Sequence, residues 1–489
     1  MYSFAVLAMS LIGLHQTPVG TELHIRLSTP VGSYASRAGD PLDGVLIAPA
    51  LDRNGEILLP EGSLISGRVQ SVKRVGLGLK HETATLDLVF DQITLPGGAS
   101  LPLASRLYEV DNSRERVAFD GSILGVRSTA SIGYRVSGYI RTMLAWEIHA
   151  QVALWATKMA LVHVPEPEIY YPAGSELTLA LTEPLASTVW PESGEQLSAQ
   201  DDAQLRSLVA EMPYRTLSRS GRPSDLVNMI FVGTRAEIAD SFRAAGWTQA
   251  SKASLRTRFI GARAVVEGLG YPTAPMSHQT LNDRPPDMAW QKNLNDVAKR
   301  HHVRIWKQSQ TWDGREVWLG AATRDVDYAF LRHGSSGVTH RIEQDIDRER
   351  DKIAYDLQFT SCTSLVDWWD RPGSPLEAHN ATGDPMTTDG RLAVIRFNQC
   401  RAPRLVAGSP EILVEHGPFF QRLLRRQILS FRSDYYRTNL YWRSYEGTRW
   451  LVTALHHHYH HSSDADSSDF ATSGTSGELQ RMFNSSWLR

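Results

Sequence analysis

Residues 20–31 (GTELHIRLSTPV) reappear as residues 174–185 (GSELTLALTEPL), so this chain uses one strand pattern twice. Within the first copy Leu23, Ile25 and Leu27 alternate with His24, Arg26 and Ser28, the two-residue period of a half-buried strand. The same alternation returns at residues 64–69 and 84–90, and the turn formers Pro60-Glu-Gly62 and Pro96-Gly-Gly98 punctuate it. Short alternating strands between Gly/Pro turns predict a β-rich barrel or sandwich over residues 17–190. The second copy follows a helix-like stretch at 142–164. It either brings the chain back to complete the same β unit or opens a second β module. Gly76-Leu-Gly78 lacks the third glycine and the strand-loop-helix setting of a phosphate cradle, and reads as a turn.

At 489 residues the chain has room for about three folding units, or two large ones, at roughly 150 residues each. Its 42% hydrophobic and 21% charged residues are those of a globular protein and argue against disorder, collagen and coiled coil. Lys and Arg number 51 against 53 Asp and Glu, a net charge of -2, which gives no whole-chain footprint for nucleic acid, and none is expected as a partner. The apolar run 4–14 (FAVLAMSLIGL) has the length of a secretory core, so residues 1–16 are expected to be a signal peptide and the protein to be exported, periplasmic or extracellular. Glu147, His149 and Lys158 inside 142–164 are costly at bilayer depth, so that stretch is expected to pack as a helix, and the mature chain to carry no transmembrane helix. A linker is expected over 191–221, where PESGEQLSAQDD and SRSG supply polar, Gly/Ser-rich sequence.

From residue 222 the pattern changes. Residues 228–233 (NMIFVG) read as a strand, and Thr234-x-x-Glu237 as the capping box of a helix whose Ile238, Phe242 and Ala245 share a face and whose stop is Gly246. Val303 and Ile305 alternate with His302, Arg304 and Trp306 before Trp312-Asp-Gly314 turns the chain into a second strand. Ile346, Ile353 and Leu357 form the stripe of a later helix capped by Asp345, and residues 392–397 give another strand. Interleaved strands and helices predict an α+β domain over 222–405.

Several stretches here resemble the LssY C-terminal domain family in order: RPSD at 222–225, YPTAP at 271–275, RHHVRIW at 300–306, VWLGAATRD at 317–325, THRIEQDIDRERD at 339–351 and HNATGD at 379–384. The resemblance covers about residues 220–400. It implies a domain that occurs alone or fused to DedA-type membrane segments and to lipid-phosphate phosphatase domains, with no assigned activity of its own. This sequence shows neither of those partners.

His302, Asp325, His340, Asp345 and Asp347 supply imidazole and carboxylate in the kinds that ligate zinc or manganese. Arg304, Arg324 and Arg350 are candidates for gripping a phosphate or carboxylate. His302 is preferred to His301 because it shares a strand face with Arg304, whereas His301 falls on the Val303/Ile305 side. No H-E-x-x-H or G-x-S-x-G motif is present, and no catalytic residue is assigned. The structural alternative is that Asp345 and Asp347 complement a helix N-terminus, His340 fills a strand and Arg350 pairs with an acid.

Cys362 and Cys400, just beyond a predicted helix and a predicted strand, are expected to form a disulfide. In an extension over 406–461, Phe420, Leu423, Leu424 and Ile428 lie beside Arg422, Arg425, Arg426 and Arg432, a basic amphipathic pattern suited to peripheral membrane contact. His456–His461 precede a tail expected to be disordered over 462–489. Two functions follow from this reading. One is an exported, envelope-associated binding or accessory protein, with an envelope protein or lipid-phosphate ligand as partner. The other is a metal-dependent hydrolase of a phosphate-bearing envelope substrate.

Overall fold

The computed structural model describes residues 15–52, 55–77, 83–127, 147, 149–150, 152–153, 167–187, 202–330, 338–400, and beyond them 420–421, 424–425, 427–429, 431–432, 444, 448 and 451–452. The apolar run 4–14, most of 142–164, the linker sequence 191–201, His456–His461 and the 462–489 tail lie outside the described residues. The chain divides into two compact units, 1–74 with 83–126 and 167–415, and 75–82 with 127–166 and 416–489. In the second unit the described residues between 420 and 432 are helical. Phe420, Leu424 and Phe431 are exposed there, while Leu429 is buried and Arg432 bonds the Gly76 carbonyl.

The first unit opens with a nine-stranded sheet. Its strands are β1 (Glu22–Leu27), β2 (Pro41–Leu46), β3 (Leu64–Lys73), β4 (Thr85–Thr94), β5 (Ser100–Pro102), β6 (Ser105–Val110), β7 (Arg116–Val117), β8 (Ile123–Leu124) and β9 (Glu176–Leu181). The order is β6-β9-β1-β2-β3-β4-β8-β7, with β5 on the flank of β4, and β6 comes back alongside β4 and β7 to leave a nearly closed barrel. The two copies of the repeat are β1 and β9, and they pair antiparallel, Ile25 opposite Leu177 and Leu23 opposite Leu179. These four side chains are buried inside the barrel. The alternation of β1 predicts one wet face, yet Arg26 and Glu176, opposite each other on the outer face, are also buried. The reason is that the next domain covers them.

That domain is built on an eight-stranded sheet with β10 (Met229–Val232), β11 (Thr248–Gln249), β12 (Met288–Lys292), β13 (Arg300–Trp312), β14 (Arg315–Phe330), β15 (Val338–Ile342), β16 (Thr363–Asp370) and β17 (Arg391–Phe397). The order is β11-β12-β13-β14-β10-β17-β16, with β15 beside β14, and the β10/β17 pair is parallel. Helices α1 (Ala203–Glu211), α2 (Arg235–Ala244), α3 (Leu255–Glu267) and α4 (Ile346–Phe359) complete it. On one sheet face Phe231, Val303, Ile305 and Trp290 pack against Ile238 and Phe242 of α2 and Ile353 and Leu357 of α4. On the other, Ile230, Val232, Trp306 and Leu319 pack with Leu205, Leu208 and Val209 of α1. The expected architecture, a β-rich N-terminal unit followed by an α+β domain, is the one observed.

Local chemistry explains the element ends. Thr234 and Glu237 close the predicted capping box of α2, and Gly246 takes the left-handed stop at φ 82°. Asp345 caps α4 by accepting from the Asp347 N–H. At Gly320 a Cβ would lie 2.7 Å from the Phe231 ring, so the Phe231 side chain of β10 packs over β14 in space that glycine leaves open. Thr363 pairs with Phe397 across β16 and β17, which sets Cys362 beside Cys400 at a Cα separation of 4.7 Å, and the two form the expected disulfide.

Candidate functional site

Helix α4 carries a polar stripe, Glu349, Lys352 and Asp356, beside its apolar one, and the stripe faces the outer surface of β1 and β9. Along this line the barrel and the α+β domain enclose a cleft of about 1030 Å³. Pro18, Val19, Ile47, Leu51 and Leu58 give it an apolar wall, and α4, His301 and Arg324 an ionic one.

Two buried ion networks form that ionic wall. In the first, Arg26 Nη2 donates to Glu176 Oε1 at 2.6 Å and to Asp356 Oδ1 at 3.2 Å. Lys292 Nζ reaches the same two carboxylates at 2.5 and 3.0 Å, and Lys352 Nζ reaches them at 2.6 and 2.8 Å. Trp247 Nε1 donates to Asp356 Oδ2 at 2.9 Å. Burial alone would push the Glu176 and Asp356 carboxyls up, but the surrounding cations hold both below the usual carboxylate range. Burial likewise lowers Lys292, despite its two carboxylate partners.

The second network centres on His301. Its Nδ1 lies 2.5 Å from Glu349 Oε2 and its Nε2 2.6 Å from Asp111 Oδ2. Burial disfavours the charged ring, yet the two carboxylates overcome it and hold the pKa at about 9, so the ring is an imidazolium at neutral pH. Arg324 Nη2 donates to Asp111 Oδ1 at 2.8 Å and Glu109 Oε1 at 2.5 Å. Burial pushes the Glu349 carboxyl up against the pull of His301. Glu349 is 2% exposed, lines the cleft, and its Oε1 has no hydrogen-bond partner among the described residues. A buried carboxylate oxygen without a donor is costly, so Oε1 is an acceptor whose hydrogen bond is not made by the described residues.

The residues singled out from sequence fall into separate places. His302, Asp325 and His340 converge: both histidine Nδ1 atoms lie 3.8 Å from Asp325 Oδ2. Arg300 Nε already donates to that oxygen at 2.7 Å, and His302 Nε2 meets Thr323 Oγ1 at 3.0 Å. Burial drives His302 down to about 3, which keeps it neutral. Asp345 is engaged as a helix cap, and Asp347 accepts from Thr388, the Asp389 N–H and Arg350 at the start of α4. Among the described residues no group of three or more His, Cys, Asp or Glu side chains is placed to hold a metal ion. Of the three arginines, Arg304 pairs with Asp225 and Ser277, Arg350 with Asp347, Asp351 and Asp389, and Arg324 joins the His301 network.

His301, set aside from sequence for lying on the Val303/Ile305 side, lines the cleft, as does His24 of β1, whereas His302 does not. His301 stands at the start of β13, beyond the edge of the apolar core, where the barrel's Asp111 meets it. Glu349, Lys352 and Asp356 stand three and four residues apart on α4, a spacing that in sequence looks no different from a solvated face. Asp111, Glu176 and Lys292 carry no local signal of this role.

Residues 209–392 match the model of the family described as LssY C-terminus. Among solved structures, one described as ComB10 of the Com Type IV secretion system of Helicobacter pylori is 13% identical, covers 37% of this chain and 94% of that chain, and has a TM-score of 0.21. No curated protein matches the chain. The matched span takes in the ordered motifs read from 222–225 to 379–384, so over residues 209–392 this chain is similar to the LssY C-terminus family.

Proposed function

We propose that this chain is an exported, envelope-associated binding protein, and that its cleft takes the head group of an amine-bearing lipid phosphate. The observation that carries this reading is Glu349, which lines a cleft with one apolar wall and whose buried Oε1 has no hydrogen-bond partner among the described residues. An ammonium group supplies the N–H donor that oxygen lacks. Arg348, 48% exposed at its side chain beside Glu343, offers a cation for the phosphate, and Val19 and Leu51 offer apolar surface for the chain. The disulfide supports export, since such bridges persist in oxidising compartments. Among the described residues no helix is long and apolar enough to cross a membrane.

The metal-dependent hydrolase has less support, because Arg300 occupies the carboxylate oxygen that His302 and His340 face. The test is calorimetric titration of the full chain with lysophosphatidylethanolamine and lysophosphatidylcholine, below their micelle concentrations. Both are zwitterionic, but the choline head has no N–H. The ethanolamine lipid is expected to bind at least tenfold more tightly. Equal affinity, or no binding by either, overturns the proposal.

A further inference from the structure

Helix α3 leaves an apolar face uncovered. Ser254 caps its start and Gly268, at φ 66°, ends it, so the helix is well defined, yet along it only Ala264 and Glu267 are buried. Leu255 is 86% and Phe259 68% exposed. Leu255, Phe259 and Ala262 stand at i, i+4 and i+7, one narrow stripe along the helix. Arg258 borders that stripe on one side and Arg256 with Arg263 on the other, and Lys252 precedes it. Lys252, Arg256 and Arg258 make no ion pair among the described residues, whereas Arg263 meets Glu267 at 2.7 Å. Glu267 is the helix's acid, and it is buried.

We infer that α3 is a membrane-docking helix that lies in the surface of an anionic bilayer. A two-residue aliphatic and aromatic stripe flanked on both sides by cations is the arrangement of an interfacial helix: Leu255 and Phe259 enter the acyl boundary while the arginines meet anionic head groups. Charge complementarity selects this occupant, since the helix presents cations and no exposed acid. The face belongs to the α+β domain, and none of its residues lines the cleft.

The test uses the full chain and vesicles of phosphatidylcholine with or without phosphatidylglycerol, both free of ethanolamine lipid, so the cleft proposal does not enter. Wild type is expected to sediment with the phosphatidylglycerol vesicles and to be released by high salt. L255D/F259D is expected to lower partitioning at least tenfold with an unchanged melting temperature. As a second reading, Phe259→Cys carrying a polarity-sensitive fluorophore should shift to the blue on these vesicles. Absence of wild-type binding, binding by L255D/F259D equal to wild type, or a fluorophore that stays in water overturns the inference. The last two outcomes include docking through residues 420–432.

Discussion

His301 shows how far strand periodicity carries a side-chain assignment. The alternation correctly separates His302, Arg304 and Trp306 from His301, Val303 and Ile305, because side chains on a strand must alternate. What it does not contain is where the apolar core ends, and His301 lies just past that edge, between Asp111 and Glu349. The pairing has a pH signature. The folded pKa of about 9 exceeds the unfolded value of 6.5, so the stabilisation is fully present below about pH 6.5 and is lost as pH rises through 9. At about 1.4 kcal/mol per unit the pair contributes on the order of 3 kcal/mol, part of it offset by the raised Glu349 carboxyl. H301Q should therefore destabilise most at pH 6, and the gap from wild type in chemical denaturation should narrow by pH 10. A gap that is constant with pH would mean that the ring is neutral between its two acids.

At the scale of elements, both ends of α2 and the start of α4 were legible because a capping box, a left-handed stop and an N-cap aspartate are local chemistry written in a few residues. The apolar stripe of α4 was legible for the same reason. Its polar stripe was not, since Glu349, Lys352 and Asp356 look like a solvated face until the barrel is placed against them. The disulfide needed only the expectation that a helix end and a strand end meet, which the β16/β17 pairing fulfils. It closes a loop across a sequence separation of 38 residues, for which the chain-entropy model gives about 4 kcal/mol before native strain. C362S/C400S should lower the melting temperature accordingly. Alkylation without reduction should leave no modified thiol in protein taken from its native compartment. Two modified thiols would contradict the bridge there and the oxidising compartment with it.

For the whole molecule, the repeat left two readings, a return to the same β unit or a second β module, and the pairing of β9 with β1 is the return. The joining of barrel and α+β domain was invisible, because it depends on pairs such as Arg26 with Asp356, 330 residues apart, and His301 with Asp111, 190 residues apart. No window of sequence holds both partners. The same joining builds the cleft, one wall from each part, and leaves Glu349 lining it with an Oε1 that has no hydrogen-bond partner among the described residues. The most direct measurement is photo-crosslinking of the full chain by an ethanolamine-headed lysolipid with a diazirine in its acyl chain, mapped by mass spectrometry. The account predicts labels within 16–24 and 47–58, the apolar wall, lost on competition with unlabelled ethanolamine lysolipid but not with the choline form. Labels confined to α3 or to residues 420–432, or competed equally by both lipids, would contradict it.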